Sequence, residues 1–253
     1  LIDHQVVPRI WKKDQSVWES AAQMGLDRLG WLTISDQMFL ELPALRSFAS
    51  DVRSSGIEYV VLLAMGGSAF APALYQATLA KQPGYPTLFM LDSTLPEQIR
   101  LIENKIVLRK TLFIVASKSG STIEVQSLYR YFRGRLDKEL GSQSAGSHFV
   151  AITDEGTPLE QLSHEESFLK LFKNPENIGG RFSGFSFFGL VPATLVGINL
   201  NPFLDGVDIM SRECRSTTIS GTNRGAFLGA AIGTLAKLGA DKLTLINLCP
   251  NVF

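Results

Sequence analysis

Residues 58–64, EYVVLLA, form an unbroken apolar and β-branched run. A run of this kind marks a strand buried on both faces rather than on one. Similar runs recur as PTLFMLD at 86–92, TLFIVA at 111–116, HFVAIT at 148–153 and FLKLF at 168–172. Between them the spacing turns helical: AFAPALYQATLAKQ at 69–82, TLPEQIRLIENK at 94–105, STIEVQSLYRYFRGRL at 121–136 and the short PLEQLSHE at 158–165. Thr94 with Glu97, and Ser121 with Glu124, read as capping boxes that start two of these helices. Strand and helix alternating in this way predict a parallel sheet, because each right-handed crossover needs a helix. The fold class is α/β: a three-layer αβα sandwich around a flavodoxin-like five-stranded parallel sheet, with extra N- and C-terminal helices.

The flanks read differently. Residues 14–30 and 42–56 show helical spacing, and each segment closes on a glycine. After residue 172 the pattern is mostly helical. The longest uncharged stretch, 184–204, is interrupted by Pro192, Asn199, Asn201 and Pro202, so it reads as a buried core helix and not a membrane span. Residues 223–239 are rich in Ala and Gly, which predicts close helix packing. KLTLINL at 242–248 reads as a last strand that joins the sheet edge or opens a second sheet. Three regions follow: a helical N-terminal segment at 1–50, an α/β domain at 51–200, and a helical connection with a further strand at 201–253. A chain that begins at Leu1 and stops at Phe253, just past an apolar run, is expected to be a piece of a longer protein.

Composition narrows the function classes. The 253 residues carry 24 Lys plus Arg against 24 Asp plus Glu. A formal net charge of zero argues against non-specific nucleic-acid or membrane-surface binding. The two cysteines, Cys214 and Cys249, belong to no CxxC or Cys/His cluster, so no metal is expected. Two thiols in so long a chain fit a cytoplasmic setting. His4, His148 and His164 sit on no Gly/Ser loop, and Glu124 is explained by capping.

Chemistry concentrates in the loops after strands one and three, MGGSAF at 65–70 and SKSGSTIE at 117–124. In a 2-1-3-4-5 sheet those strands are neighbours at the point where strand order reverses, so both loops face one crevice. Each feeds a helix N-terminus with unpaired N–H groups. Gly66 and Gly67 permit close backbone approach, while Ser68, Ser117, Ser119, Ser121 and Thr122 offer hydroxyls, a combination suited to a phosphate monoester. Lys118 adds charge or its backbone N–H. Ser and Gly at such junctions also serve simply as caps and turns. GxxxxGK[ST] and GxGxxG are both absent. A third stretch, ENIGGRFSGFS at 176–186, carries Arg181 behind two glycines, free to be aimed at a developing oxyanion or to serve as a structural ion-pair partner.

Taken together, MGGSAFAP, SKSGSTIE and NIGGRFS resemble the glucose-6-phosphate isomerases over about residues 55–253. The first two loops alone would indicate only a sugar-isomerase (SIS) domain; the Gly-Gly-Arg-Phe-Ser element is more specific. RIWKKDQSVW and LGWL in the N-terminal segment further resemble the isomerase half of bifunctional transaldolase/glucose-6-phosphate isomerase proteins. The resemblance implies interconversion of glucose 6-phosphate and fructose 6-phosphate through a cis-enediolate, with no cofactor and no metal. It implies that Ser117, Lys118 (through its backbone), Ser119 and Thr122 hold the phosphate, that Gly67 and Ser68 contact the sugar, and that Arg181 is catalytic, stabilising the enediolate. It implies a homodimer of the full-length protein, with a hexose 6-phosphate as its small-molecule partner and no nucleic acid or membrane. Val125, Gly184 and Phe187 depart from the family pattern. The family's catalytic glutamate and ring-opening histidine are expected beyond Phe253, so the 253 residues alone are expected to bind sugar phosphate but not turn it over. The competing readings are a non-catalytic phosphosugar-sensing SIS domain and the isomerase part of an aminosugar synthase.

Overall fold

The computed structural model describes residues 3–18, 28–217, 223–244 and 246. Its centre is a five-stranded sheet in the order β2-β1-β3-β4-β5, formed by β1 (Tyr59–Ala64), β2 (Thr87–Leu91), β3 (Thr111–Ala116), β4 (Phe149–Asp154) and β5 (Lys170–Asn174). Every pairing is parallel. The expected strand order and fold class are therefore both found.

Alternation along the strands sorts the core into two layers. Val60, Leu62 and Ala64 of β1, with Leu112, Ile114 and Ala116 of β3, face one side. There they meet α2 (Ile34–Ser54), α3 (Gly67–Thr78), α8 (Phe187–Leu195) and the start of α9 (Leu200–Arg215). Val61 and Leu63, with Phe113 and Val115, face the other side. There they pack on α4 (Pro96–Glu103), α5 (Ile123–Leu140) and α7 (Pro158–Glu165). Phe113 lies at the centre of an aromatic cluster, with ring centroids 4.6 Å from Phe132 and 5.4 Å from Phe149. A short helix, α6 (Ser142–Ala145), precedes β4.

Several elements differ from expectation. α2 begins at Ile34, eight residues ahead of the expected start, and carries Pro43 in its interior on the exposed side. Neither capping box forms. Leu95 is the N-cap of α4, and its N–H is taken by Ser93 Oγ at 3.2 Å, in a side-chain turn. Thr122 is the N-cap of α5, and Ser121 instead donates to Ser119 Oγ at 3.0 Å. Residues 14–30 are not one helix: 3₁₀ turns cover Gln15–Val17 and Gly30–Leu32, and much of the stretch between lies outside the described residues. α1 (Val6–Trp11) precedes them.

The apolar stretch 184–204 is split. α8 is buried from Phe188 to its end, and Gly197 at φ +77° then reverses the chain before Asn199 caps α9. Among the described residues no helix is long and apolar enough to cross a membrane. α10 (Arg224–Lys237) contradicts the expectation of close packing, because it buries none of its residues and leaves Phe227 and Leu228 exposed. Of the expected strand at 242–248, residues 242–244 and 246 are not in a strand, and the remainder lies outside the described residues.

Candidate active site

The register pairs Ala64 with Ala116, so β1 and β3 end side by side and release their loops at the same level. Two loops that start 52 residues apart in sequence, at Met65 and Ser117, thus meet above the sheet, where α3 and α5 begin. Gly66 turns the first loop at φ 60° and ψ −127°, a conformation open essentially to glycine alone. Gly120 turns the second at φ +67°, and a Cβ there would fall 2.7 Å from the Cβ of Thr157.

Between the loops lies a cavity of about 590 Å³. Its wall includes all six expected binding residues: Gly67, Ser68, Ser117, Lys118, Ser119 and Thr122. Ser117 is nearly fully buried, and its hydroxyl shares a 2.9 Å hydrogen bond with Thr122 Oγ1. Ser68 donates to the Met65 carbonyl at 2.9 Å. Hydroxyls and helix N-termini converging on one hollow provide donors suited to an anion. Among the described residues no three His, Cys, Asp or Glu cluster as a metal site.

Arg181 is placed differently from its companions. It lies in the 3₁₀ segment Gly180–Phe185 with an exposed side chain and does not line the cavity, although Gly180 does. The segment is nonetheless held firmly. Phe182 stacks on Trp31 at 5.2 Å, Ser183 donates to the Gly180 carbonyl at 2.7 Å, and Tyr75 donates to the Gly184 carbonyl at 2.8 Å. Burial raises the Tyr75 phenol above its ordinary value, so it remains a neutral donor. Gly184 has a local reason: a Cβ there would stand 3.1 Å from the Tyr75 hydroxyl. Phe187 packs its ring 5.3 Å from Phe172. Val125 is buried under α5 in the core, outside the cavity.

Four ionisable residues of the wall, Arg28, Asp154, Glu155 and Glu176, are given no binding role by the sequence pattern. Asp154 ends a central strand, where ligands gather in open parallel sheets. Lys118 Nζ is bonded to Asp154 Oδ2 and donates to the Glu176 carbonyl at 2.9 Å. Its side chain therefore ties three segments together and is not free to neutralise a ligand. Burial pushes the Asp154 carboxyl above its ordinary value while Lys118 pulls it down. Asp154 Oδ1 is buried without a hydrogen-bond partner. Among the histidines, His148 binds the Thr111 carbonyl through Nδ1 at 2.8 Å, a structural role, and His4 and His164 are exposed.

A second, larger cavity of about 1080 Å³ lies among α1, α9 and α10. Its wall is mainly apolar and lacks converging hydroxyls, so the loop cavity is the site with chemistry.

The doubly wound sheet, with two hydroxyl-rich loops meeting at its switch point, is an α/β domain of the class in which ligands sit beyond the strand ends. Residues 42–232 match the family model of phosphoglucose isomerase, and the chain belongs to that family. A glucose-6-phosphate isomerase of Prochlorococcus marinus is 32% identical over 212 residues, covering 78% of this chain and 39% of its own length. One from Campylobacter jejuni is 36% identical over 151 residues, 59% of this chain and 36% of its own. The crystal structure of a glucose-6-phosphate isomerase from Chlamydia trachomatis superposes with a TM-score of 0.66 at 25% identity, over 92% of this chain and 42% of that one. A hypothetical protein from Thermus thermophilus reaches a TM-score of 0.76 at 26% identity, over 91% of this chain and 52% of that one. The chain thus spans less than half the length of these two curated relatives.

Proposed function

We propose that this chain binds the phosphate of a hexose 6-phosphate and forms part of an enzyme that interconverts glucose 6-phosphate and fructose 6-phosphate. The observation that carries the reading is the convergence of Gly67, Ser68, Ser117, Lys118, Ser119 and Thr122 on one cavity, in a chain that matches the phosphoglucose isomerase family. Ser117, Ser119 and Thr122, with the backbone at Lys118, receive the phosphate; Gly67 and Ser68 meet the sugar. In the reaction a base removes the proton at C2 of the opened aldose and returns it at C1, with a proton moving between the two oxygens. Arg181, cationic throughout, stabilises the enediolate between these steps. From its exposed position it would turn inward when ligand fills the cavity.

Two of the three carboxylates on the wall are poor candidates for the base, because Asp154 is bound to Lys118 and Glu155 to Lys173 at 3.1 Å. The reading therefore assigns the proton-transfer groups to residues other than these, within a homodimer in the cytoplasm. Calorimetry with fructose 6-phosphate tests the binding half. Saturable binding that is lost in Ser117→Ala and Thr122→Val is expected, and no binding would overturn it. A coupled isomerase assay tests the other half. Turnover by residues 1–253 comparable to that of a longer relative would refute the assignment of the base elsewhere.

A further inference from the structure

Arg28 belongs to a segment remote in sequence from both loops, yet it lines the same cavity as Ser117, Ser119 and Thr122. The residues after it are fixed to the segment that carries Arg181. Leu29 forms an antiparallel bridge with Ile178, and Gly30 N–H donates to the Asn177 carbonyl at 2.9 Å. Gly30 allows this close approach, since a Cβ would fall 2.9 Å from the Asn177 backbone oxygen and 2.0 Å from its Oδ1. Next, Trp31 stacks on Phe182 with the ring planes 16° apart. The stem of Arg28 lies along Gly179, its Cδ 3.7 Å from where a Cβ on that glycine would be.

The charges around the cavity are unevenly used. Lys118 is held by Asp154 and the Glu176 carbonyl. Glu155 is paired with Lys173. Arg28 has no ion pair or hydrogen bond among the described residues. Its five N–H donors are therefore available, in a fork that matches the oxygens of a phosphate. The competing partner is Glu176, which shares the wall but is not paired with Arg28.

We propose that Arg28 is a further ligand-binding residue, whose guanidinium supplies the positive charge that Lys118 does not deliver to the bound phosphate. This rests on the phosphate-binding reading above.

Phosphorus NMR titrations with inorganic phosphate and with fructose 6-phosphate test it on wild type, Arg28→Met, Arg28→Lys and Glu176→Gln. Arg28→Met keeps the stem and removes the charge. It should weaken both ligands about 10- to 100-fold with an unchanged melting temperature. Arg28→Lys should recover part of the loss, because it restores charge without the fork. Glu176→Gln should tighten binding by removing a like charge from beside the anion. Should Arg28→Met fail to fold, Arg28→Lys and Glu176→Gln still decide. Wild-type affinity in Arg28→Lys, or weaker binding in Glu176→Gln, would overturn the assignment. Wild-type binding that persists in folded Arg28→Met would overturn it alone. Absence of binding by the wild type would overturn the phosphate-binding reading and this assignment with it.

Discussion

Gly67 is the point where the two glycine-bearing segments touch. A Cβ placed on it would fall 2.3 Å from the Gly180 carbonyl oxygen and 2.6 Å from its carbon. An ordinary carbon–oxygen approach is about 3.3 Å, so Gly67→Ala must drive the backbone at Gly180 back by about 1 Å. The neighbour is backbone held by Phe182 N–H on the Gly179 carbonyl at 2.9 Å and by Ser183 on Gly180, so it cannot simply rotate away. Such overpacking costs about 1–3 kcal/mol. Alanine's better helix propensity returns less than about 1 kcal/mol at this first position of α3. The expected net effect is a loss of about 1–2 kcal/mol in urea melts, with fructose 6-phosphate affinity reduced at least tenfold, because both walls of the cavity shift. Gly229→Ala is the matched control, since a Cβ there meets nothing within 4 Å. It should stabilise α10 by about 0.5–1 kcal/mol and leave ligand affinity unchanged. If Gly67→Ala melts and binds like wild type, the two segments are not in contact and the reasoning fails.

Further tests probe the loop and the strand end. Ser117→Ala removes the buried hydroxyl pair with Thr122 and should cost about 1 kcal/mol in denaturant melts. Asp154 has a raised carboxyl, so its contribution to stability is present below the ordinary value of 3.8 and is lost as pH rises through the folded-state value. Asp154→Asn should therefore flatten that limb of a stability-against-pH curve; an unaltered limb would show that another group causes it. Phe132→Ala removes a fully buried ring packed against Phe113 and should cost about 3–5 kcal/mol by urea titration.

The parts of this fold that are readable in sequence are those decided locally. β3 occupies 111–116 as expected, because all six of its residues are buried and the run has no polar interruption. α7 occupies 158–165 as expected, because Thr157 caps it, accepting from Glu160 N–H, and Pro158 opens its first turn. What was not legible depends on partners far along the chain. The start of α2 is set by burial of Ile34 and Met38 against the sheet layer, whereas Pro43 taken alone points to a later beginning. Ser121 and Glu124 satisfy the capping-box pattern, but Ser119 supplies a nearer partner for Ser121. Arg28 reaches the cavity only because Gly30 and Trp31 dock on Asn177 and Phe182. The Ala- and Gly-rich composition of α10 permits close packing but does not bring a neighbouring element close enough to bury any of its residues.

The pairing of β1 with β3 also governs when a site can exist during folding. These strands join residues 52 positions apart, as in Tyr59 with Thr111, and a parallel pair cannot be closed by a hairpin. Closing a loop of that length costs entropy before any contact repays it. A chain with every helix formed but this pair open would hold half an anion site on each of two separate segments. Phosphate would therefore bind the completed topology and not its parts. At a hundred times its dissociation constant it would add about 2.7 kcal/mol to the native state by mass action.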